Sequence, residues 1–396
     1  MSFFMSKLFY IGLSVASLVI ISLFAEEKIE RLTPPIIKAE TVFKTVDCTR
    51  PMREGRFNIS TDLQYNKLIV HCYGHGGSGW TTLFGSVEKA LSLFQIHYPD
   101  PHLAPPIRVV GSGCMGLTAA LELSRRGYVV SGITTKELYE IPSWKAAGYF
   151  ALVSVKTSPE EQANLNQIGM ETFKTYQSIE KGEHPYLTKD AVRYMPVYCS
   201  EQTVAGVEEL EEIGLIPPRE HVTLDFGNGV QHPGFVKYMT YFMDTTNLMK
   251  QLTQEVKNQN IPIEVRELQS LKDVQEEIVF NCSGLGGRLL NHDSSLVPVR
   301  GHLILLNERS GTEHMNYMIY TKFLQADTEE YVYMFPKKQA VFSGHLENCC
   351  RSTLGGTFIP HTDRLSPEEL EKLDEIEFQK LLDRNSLFFH GVPFSN

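Results

Sequence analysis

The feature that most constrains this 396-residue chain is a glycine-rich turn between a short apolar segment and an amphipathic one. Residues 107–110 have the composition of a buried strand, and apolar side chains recur at helical spacing over residues 117–124. Gly127 suits the left-handed backbone that ends many helices, and residues 128–131 resume as a strand. The pattern predicts a βαβ unit and, with it, a parallel sheet flanked by helices.

The turn itself carries Gly111, Gly113 and Gly116 in GxGxxG spacing. In a dinucleotide site these glycines have separate tasks: a tight turn, close approach of the backbone to a pyrophosphate, and close packing of the helix on the strand. The helix N-terminus then faces the phosphates. A tight turn in an ordinary α/β protein has the same pattern, so it is the flanking strand and helix that favour a nucleotide site.

One part of such a site is missing from the sequence. The acidic residue expected about 20 residues further on, which would hold a ribose hydroxyl, falls near Thr134 and Thr135, and the nearest carboxylate is that of Glu137. Three arrangements stay open: a threonine hydroxyl replaces the acid, Glu137 reaches back to the ribose, or the adenosine is held loosely.

A second strand, glycine turn and helix precede the first. Residues 68–73 have strand composition, residues 74–79 are rich in glycine, and residues 82–94 predict a helix. A helix N-terminus that is not obstructed by side chains can stabilise a developing anion through its dipole and free amides. Taken alone, this segment would more often be a sharp turn that packs closely. Two such units in one chain call for an explanation beyond packing.

Further segments predict the rest of an α/β protein. Ser158 and Ser366 each begin an SPEE motif, which is typical of a helix start with proline in the first turn. Residues 246–257 predict a third helix, and residues 278–281 predict a buried strand that runs into a glycine-rich turn. Alternating polar and apolar residues over 315–346 favour an antiparallel sheet.

The composition excludes several classes of protein. With 42% hydrophobic residues, the chain is globular rather than disordered or collagen-like. Acidic side chains outnumber basic ones by 47 to 37, for a net charge of -10, so we expect no nucleic-acid partner, because phosphate binding requires a basic face. The seven cysteines show neither CxxC spacing nor a histidine partner at zinc-finger spacing, and no metal site is predicted.

The N-terminus carries an uncharged apolar run over residues 8–25, which follows Lys7 and precedes Glu26. The run is longer than the usual core of a signal peptide and reaches the lower limit for crossing a bilayer. It is an export signal or, as we slightly favour, an uncleaved anchor. We therefore expect membrane contact through residues 8–25 and a membrane-anchored or exported protein. The flanking charges do not define the side of the membrane.

Several motifs together resemble one family. Residues 48–53 (CTRPMR) and 73–81 (YGHGGSGWT) resemble the closing stretch of D-amino acid oxidases of the FAD-dependent DAO family. Other motifs match that family in order: GSGCMG its FAD fingerprint, residues 146–148 its flavin-facing loop, residues 281–284 its second phosphate-side turn, residues 298–302 its re-entry strand and residues 333–336 its substrate-sheet strand. The similarity extends over most of residues 47–350.

The order of these motifs departs from the family. Its Arg-Pro and YGHGG elements close the chain, whereas here they precede the FAD fingerprint, as in a circularly permuted protein. Permutation is tolerated where the original termini lie close together at the surface. The proline-rich residues 98–106 would then form the new joint as an extended connector, and residues 31–47 would be a linker into the folded part.

The resemblance implies an α/β fold in which a Rossmann-type FAD-binding domain is interleaved with an antiparallel-sheet substrate domain. The expected parts are residues 1–30 as the hydrophobic segment and its flank, 31–97 as the permuted C-terminal part of the family with the substrate arginine and a flavin-binding turn, 107–140 with 245–305 as the FAD-binding part, and 145–244 with 306–396 as the substrate domain.

The resemblance also assigns roles to individual residues. Arg50 would grip an α-carboxylate with its planar guanidinium, Tyr333 would support that carboxylate, and the Gly77 carbonyl would receive the substrate amine. An arginine before proline is also common in solvated turns, and Tyr333 could equally be core packing. His75 is expected to be structural rather than a base. The residues implied for FAD are Gly111, Gly113, Gly116, Ala147, Gly148, Gly76, Ser78, Gly79, Trp80, Thr81, Ser283 and Gly284.

The implied function is that of an FAD-dependent oxidase or dehydrogenase. It would oxidise a D-amino acid or related amine by hydride transfer to flavin N5, with oxygen or another compound as electron acceptor. Two positions depart from the family: Glu329 replaces a second active-site tyrosine, for which Tyr331 is an alternative, and Ala151 replaces a glutamine. Two other functions stay open, a flavin-binding protein without catalysis and a glycine- or sarcosine-type amine oxidase.

Overall fold

The computed structural model describes residues 28–152, 158–307, 315–325, 328–337, 340–342, 345–347 and 352–395. In these ranges, no helix has both the length and the apolar character needed to cross a membrane. The apolar run at residues 8–25 lies outside the described residues, so the predicted anchor or export signal stays a prediction.

Helices and strands alternate through most of the chain. The strands are β1 (Lys28–Arg31), β2 (Val42–Arg53), β3 (Asn58–Gln64), β4 (Lys67–Tyr73), β5 (Ile107–Val110), β6 (Val130–Thr135), β7 (Val192–Ser200), β8 (Glu220–Asp225), β9 (Gln231–Met243), β10 (Ile263–Val265), β11 (Ile278–Asn281), β12 (Leu296–Leu306), β13 (Met318–Gln325), β14 (Thr328–Phe335), β15 (Ala340–Phe342), β16 (His345–Glu347), β17 (Ser352–Gly355) and β18 (Ile359–Pro360). The helices are α1 (Leu83–His97), α2 (Cys114–Arg125), α3 (Pro142–Lys145), α4 (Pro159–Lys181), α5 (Glu208–Glu212), α6 (Thr245–Asn258), α7 (Gly287–Leu290) and α8 (Pro367–His390).

The smaller of the two main sheets has the strand order β10-β6-β5-β11-β4-β3. Its first five strands are parallel, and β3 runs antiparallel to β4 at the edge. The predicted βαβ unit is confirmed as β5, α2 and β6. Strand β6 begins two residues later than expected, at Val130, because Gly127 (φ +87°) and Tyr128 still close the end of α2 with bonds to Ser124 and Leu123.

Buried apolar side chains join this sheet to its helices. Phe94 of α1 and Phe280 of β11 are fully buried, with ring centroids 5.3 Å apart, and Leu117 of α2 lies in the same cluster. The opposite face of the sheet buries Ile69 and Val279 in a separate cluster. Burial on both faces is typical of a parallel sheet, and it fixes the carboxyl ends of β4, β5, β6 and β11 relative to one another.

The larger sheet has the order β1-β8-β9-β7-β13-β14-β17-β12-β18, and β2 also pairs with β12. This pairing corrects two expectations. Val42–Asp47 is part of β2 rather than a linker, because it pairs with β12 from Leu306 to His302. Strand β12 itself, which we grouped by sequence with the FAD-binding part, lies in the larger sheet for the same reason. The predicted antiparallel pairing of residues 315–346 is confirmed for β13 with β14 and for β15 with β16.

The two SPEE motifs begin helices as predicted. The Ser158 side chain accepts the Glu161 amide at the start of α4, and Ser366 forms a reciprocal capping box with Glu369 at the start of α8. Both helices end at a glycine with positive φ, which satisfies the last carbonyls without the strain of a side chain. Helix α8 packs on the larger sheet through buried residues such as Leu381 and Phe388.

The end of α8 lies beside the start of the folded chain. His390 Nε2 donates a hydrogen bond to the Pro35 carbonyl over 2.9 Å. At the other expected joint, residues 98–106 are not wholly extended, because Pro101–Leu103 forms a 3-10 turn capped by Asp100. Close ends are what a circular permutation requires. The permuted order therefore stays a prediction that this contact supports.

Candidate cofactor and substrate site

One cavity of about 750 Å³ joins the two sheets. On one side it is lined by residues that follow β4, β5, β6 and β11, such as Gly111 and Ser283. On the other side it is lined by side chains of the larger sheet, such as Arg50 and Tyr333. In the smaller sheet β5 lies between β6, which follows it in the sequence, and β11, which comes from a later part of the chain, so the strand order reverses at β5. Such a reversal at the carboxyl ends of parallel strands is where α/β proteins bind ligands.

The three glycines of the GxGxxG turn have different surroundings. Gly111 has φ +107°, and a Cβ there would overlap the Cys282 carbonyl. Gly113 precedes α2 and lines the cavity. At Gly116 a Cβ would overlap the Gly111 carbonyl, so this residue packs the helix against the turn and does not line the cavity. The first amide of α2, at Cys114, donates to Ser143 Oγ over 3.0 Å.

The second glycine turn also lines the cavity, through Gly76, Gly77, Gly79, Trp80 and Thr81. Trp80 Nε1 donates to the Ser143 carbonyl over 3.2 Å, which ties this turn to the loop beside the first one. Gly76 has a positive φ of 55°.

Ser78 differs from its neighbours in this turn. Its side chain is buried, and it does not line the cavity. Its carbonyl accepts bonds from the amide and the hydroxyl of Thr82, the residue before α1. A contact of Ser78 with the cofactor stays a prediction.

Ala147 and Gly148 line the cavity. Contacts on the side away from the cavity hold these two residues and the loop before them. A Cβ at Gly148 (φ +100°) would overlap the Met243 carbonyl. The buried Lys337 ammonium donates to the carbonyls of Ala146 (2.8 Å) and Trp144 (3.2 Å). Sequence reasoning missed Lys337, which holds the carbonyl side of this loop and so fixes the backbone that reaches the cavity.

Ser283 and Gly284 line the cavity after β11. The Ser283 hydroxyl donates to Asn281 Oδ1 over 2.6 Å, and Gly284 has φ +58°. These bonds set the turn that was expected on the phosphate side of the cofactor.

The structure bears on the missing ribose acid. The Thr135 hydroxyl donates to the Glu137 carbonyl and accepts from Ser112 Oγ, so it is used within the loop. Glu137 Oε1 accepts the amides of Tyr139 and Leu138, and these bonds lower the pKa of the carboxyl. Glu137 lines the cavity. Glu137 is thus an ionised carboxylate at the cavity, and which of the three arrangements holds the ribose stays a prediction.

Arg50 reaches the cavity from β2. Its Nη1 donates to the Thr357 carbonyl over 3.1 Å, and its guanidinium lies 4.4 Å from the centroid of the Phe358 ring. Across the strand pair, Gly301 of β12 leaves the space that the guanidinium occupies, since a Cβ there would overlap both terminal nitrogens. Arg50 is thus held in one orientation, facing the cavity, rather than exposed in a solvated turn.

Tyr333 lines the same cavity from β14. Its ring lies over Gly355 of β17, where a Cβ would overlap the ring. The Gly356 amide donates to its hydroxyl oxygen, and burial raises the pKa of Tyr333. The tyrosine therefore stays protonated at neutral pH and keeps a hydroxyl hydrogen to donate.

Aromatic side chains that sequence reasoning missed complete this end of the cavity: Tyr149, Tyr320, Phe335 and Phe358. The Tyr149 ring lies 5.3 Å from Tyr320 and 5.6 Å from Phe335. Alternation along β13 and β14 was the available signal, but it does not tell which face of the sheet meets the cavity.

The departures from the family pattern have different outcomes. Tyr331 stacks on Tyr320 and does not line the cavity, so it does not replace the second tyrosine. The side chain of Glu329 lies outside the described residues. Ala151 is buried in the cavity wall, and its amide donates to Thr81.

His75 is also unsuited to act as a base. It is buried, its Nε2 lies 3.1 Å from Ser86 Oγ, and burial lowers its pKa to about 3. The imidazole is neutral at physiological pH and too weak a base to accept a proton there, in agreement with a structural role.

The donor groups of the cavity fit FAD. A glycine cradle that a Cβ would fill stands at a helix N-terminus, which suits a pyrophosphate. An ionised Glu137 suits a ribose hydroxyl, and the turn at Gly76–Thr81 with Ala147 and Gly148 offers backbone groups to a flavin ring. A family model described as FAD dependent oxidoreductase (DAO) matches residues 107–389. This chain belongs to the DAO family. Its cofactor is FAD.

The matched range of the DAO family begins at β5, so Arg50 and the turn at Gly76–Thr81 precede it. D-aspartate oxidase 2 of Caenorhabditis elegans is 22% identical over 239 residues, which cover 56% of this chain and 66% of that protein. D-aspartate oxidase 1 of the same organism is 22% identical over 280 residues, 66% of this chain and 76% of that protein. The D-amino-acid oxidase of Rubrobacter xylanophilus is 25% identical over 206 residues, 50% of this chain and 57% of that protein.

The chain thus spans just under two thirds of the length of D-aspartate oxidase 2. Among solved structures, glycine oxidase from Bacillus cereus has a TM-score of 0.39 and 15% identity, covering 69% of this chain and 79% of that chain. An L-amino acid deaminase from Proteus vulgaris has a TM-score of 0.41 and 12% identity, covering 69% of this chain and 74% of that chain.

Proposed function

We propose that this protein oxidises the amine of a D-amino acid or a related amine, with FAD as the electron acceptor. The observation that carries the proposal is that Arg50 and Tyr333, from two separate strands, meet in the cavity that the two glycine turns form. A guanidinium beside a hydroxyl donor suits an α-carboxylate. The names of the D-aspartate and D-amino-acid oxidase relatives support the same substrate class.

In this proposal the side chains bind and orient the substrate. Arg50 pairs with both carboxylate oxygens, Tyr333 donates its hydroxyl hydrogen to one of them, and the Gly77 carbonyl accepts from the amine. The two glycine turns would hold FAD, which would supply a hydride acceptor for the substrate α-carbon; the substrate amine would become an imine, which water would hydrolyse. Because His75 is neutral and buried, rate enhancement comes from orientation rather than from a side-chain base.

The walls of the cavity favour an uncharged substrate side chain. Tyr149, Tyr320, Phe335 and Phe358 line the same cavity as Arg50, and Phe358 covers its guanidinium. An aromatic wall lowers the free energy of an apolar side chain but does not compensate the desolvation of a second carboxylate. We therefore expect D-alanine and D-phenylalanine to be better substrates than D-aspartate, although two relatives are named D-aspartate oxidases.

The test is anaerobic flavin reduction by purified protein with D-alanine, D-phenylalanine, D-aspartate, glycine and sarcosine. Arg50→Met keeps an unbranched apolar stem and removes the carboxylate donors, so kcat/KM should fall about 100- to 1,000-fold, because hydrogen bonds to charged groups contribute about 1.5–3 kcal/mol each. Arg50→Lys should be intermediate, since a point charge cannot bind the carboxylate in two places.

Three results would contradict the proposal. A protein that binds no FAD would remove the cofactor assignment, and bound FAD that none of these amines reduces would favour the non-catalytic alternative. Sarcosine as the best reductant, with no loss in Arg50→Met, would remove Arg50 from the substrate site.

A further inference from the structure

The Arg50 guanidinium is held by a short segment that the sequence gives no reason to single out. We name residues 356–358, between β17 and β18, the arginine link. Its Thr357 carbonyl accepts from Arg50 Nη1 over 3.1 Å, and its Phe358 ring covers the guanidinium at 4.4 Å. Cation–π contact and a carbonyl acceptor together fix both the plane and the direction of the group. The link therefore decides where Arg50 points.

The arginine link can do this because it leaves the sheet. Leu303 of β12 pairs with Gly355 of β17, and Arg300 of β12 pairs with Ile359 of β18. Residues 356–358 lie between these two pairs and do not pair with β12. There the His302 amide donates to the hydroxyl of Thr357 over 2.8 Å instead of to a strand carbonyl. The Thr357 carbonyl is thus turned towards Arg50. Gly356 permits the turn, since a Cβ there would overlap the Tyr331 carbonyl.

Behind the link, His302 completes a chain of hydrogen bonds. It is fully buried, with Nδ1 2.9 Å from Thr357 Oγ1 and Nε2 2.8 Å from Asp374 Oδ1. Arg300 donates two bonds to the same carboxylate, over 2.7 and 2.6 Å. A carboxylate only accepts, so Nε2 carries a hydrogen and donates it to Asp374. The Thr357 hydroxyl lies between two groups of His302, the backbone amide that donates to it and the ring Nδ1 2.9 Å away, and these two contacts fix its orientation.

We propose that His302, held by Asp374 of α8, is a positioning residue that sets the direction of Arg50 through Thr357. The inference rests on the proposed function, in which Arg50 binds the substrate carboxylate. His302 touches neither substrate nor cofactor in this proposal. Loss of its side chain removes the ring that contacts the Thr357 hydroxyl and leaves the backbone amide of residue 302 to hold it, so the link can move and carboxylate binding weakens without altering the glycine turns.

The experiment compares His302→Phe with His302→Gln in the full-length FAD-loaded protein. Phenylalanine keeps the ring that packs on Phe378 at 5.0 Å and removes both nitrogens, whereas glutamine retains a donor and an acceptor. We expect His302→Phe to raise the KM for the amino acid about 10- to 30-fold, with kcat and FAD affinity changed about twofold or less. His302→Gln should recover part of the loss.

A second readout does not depend on turnover. Benzoate combines a carboxylate with an aromatic ring, and its binding is followed by the shift of flavin absorbance. The Kd of benzoate should rise by the same factor as KM in His302→Phe and in Thr357→Val, which removes the hydroxyl but keeps the carbonyl. If His302→Phe does not fold, Thr357→Val provides the same test.

His232 supplies the matched control. Its Nε2 also bonds to α8, at the Phe388 carbonyl over 2.8 Å, and its ring stacks on Phe388 at 4.4 Å. His232→Phe should change stability as His302→Phe does and leave KM and benzoate binding unaffected. If Arg50→Met raises both values but folded, FAD-loaded His302→Phe does not, the positioning role is wrong. If Arg50→Met itself changes neither, it is the proposed function that has failed.

Discussion

The two walls of the cavity use glycine in different ways. We call the glycine turns after β4, β5 and β11, together with residues 147 and 148, the cofactor wall, and we call Arg50, Tyr333 and their neighbours in the larger sheet the substrate wall. On the cofactor wall, a Cβ at Gly111 or Gly148 would overlap backbone carbonyls, those of Cys282 and Met243. On the substrate wall, a Cβ at Gly301 or Gly355 would overlap side chains, those of Arg50 and Tyr333. Backbone carbonyls are fixed by two sheets, whereas a guanidinium at the end of a long side chain can move. The cofactor wall is therefore rigid, and the substrate wall can be altered without loss of the fold.

The difference separates two kinds of binding site. FAD needs a fixed set of backbone groups, which a rigid wall supplies. In the proposed function, a substrate carboxylate is bound by one oriented side chain, Arg50, and that orientation depends on neighbours such as Phe358 and Thr357. Changes on the substrate wall should thus appear in KM, and changes on the cofactor wall in FAD content and stability.

The largest effect should come from Gly111→Ala. The new Cβ would meet a carbonyl that cannot move, at φ +107°, so we expect the affinity for FAD to fall by about 100-fold or more and the free energy of unfolding by about 3 kcal/mol. FAD retained on gel filtration and urea unfolding measure the two quantities.

The control for Gly111→Ala is Gly229→Ala. Gly229 has a similar φ of +90° and nothing within 4 Å of its Cβ position, so it should cost about 1 kcal/mol of backbone strain and leave FAD binding intact. Equal losses of FAD in the two variants would mean that backbone strain, rather than contact of the new Cβ with the Cys282 carbonyl, causes the loss.

Gly301→Ala should have a smaller and different effect. Arg50 can swing away from the new methyl group, so we expect KM to rise about 10- to 100-fold, about 1.4–2.7 kcal/mol, with FAD binding unchanged. Steady-state kinetics and flavin titration check this. A loss of FAD in Gly301→Ala would erase the distinction between the walls.

Acid should destabilise the protein through His75, which lines the cavity beside the second glycine turn. The pKa of His75 is lowered by burial to about 3 from its ordinary 6.5. Below pH 6.5 the unfolded chain therefore binds a proton at this histidine, whereas the folded chain does not. The free energy of unfolding keeps its full value above pH 6.5 and falls by about 1.4 kcal/mol for each pH unit below it. Between pH 6.5 and 5 the free energy of unfolding should drop by about 2 kcal/mol through His75 alone.

On the substrate wall, burial raises the pKa of Asp374, but hydrogen bonds from Arg300 and His302 lower it below the ordinary 3.8. The contribution of Asp374 to stability is present above that value and is lost only as the pH falls further.

Urea unfolding at pH 6.5 and at pH 5 measures the contribution of His75. The difference between the two free energies of unfolding should be smaller in His75→Gln than in the parent, while His102→Gln, at an exposed position, serves as control. An unchanged slope in His75→Gln would remove this histidine as the source.

Much of the cofactor wall could be predicted, because its signals are local. The strand, glycine turn and helix at residues 107–125 and the caps at Ser158 and Ser366 depend on residues within one turn of each other. The interpretation of residues 31–47 as a linker was wrong for Val42–Asp47 because of a distant contact. Residues 42–47 (VFKTVD) contain four β-branched or aromatic residues, and pairing with β12 makes them a strand. Ser78 has the right position in its motif, but its side chain is buried, which the motif does not indicate.

The substrate wall depends on contacts between distant residues. Arg50 could be found only through a family motif, and nothing near it in the sequence indicates that Thr357, Phe358 and His302 hold it. By itself, the sequence determined the two glycine turns between strand and helix that we expect to hold FAD and, through a family motif, the arginine that binds the carboxylate in the proposed function. Only the tertiary structure decided how that arginine is oriented, because strand pairing brings together residues about 300 positions apart, and hydrogen bonds act only over about 3 Å.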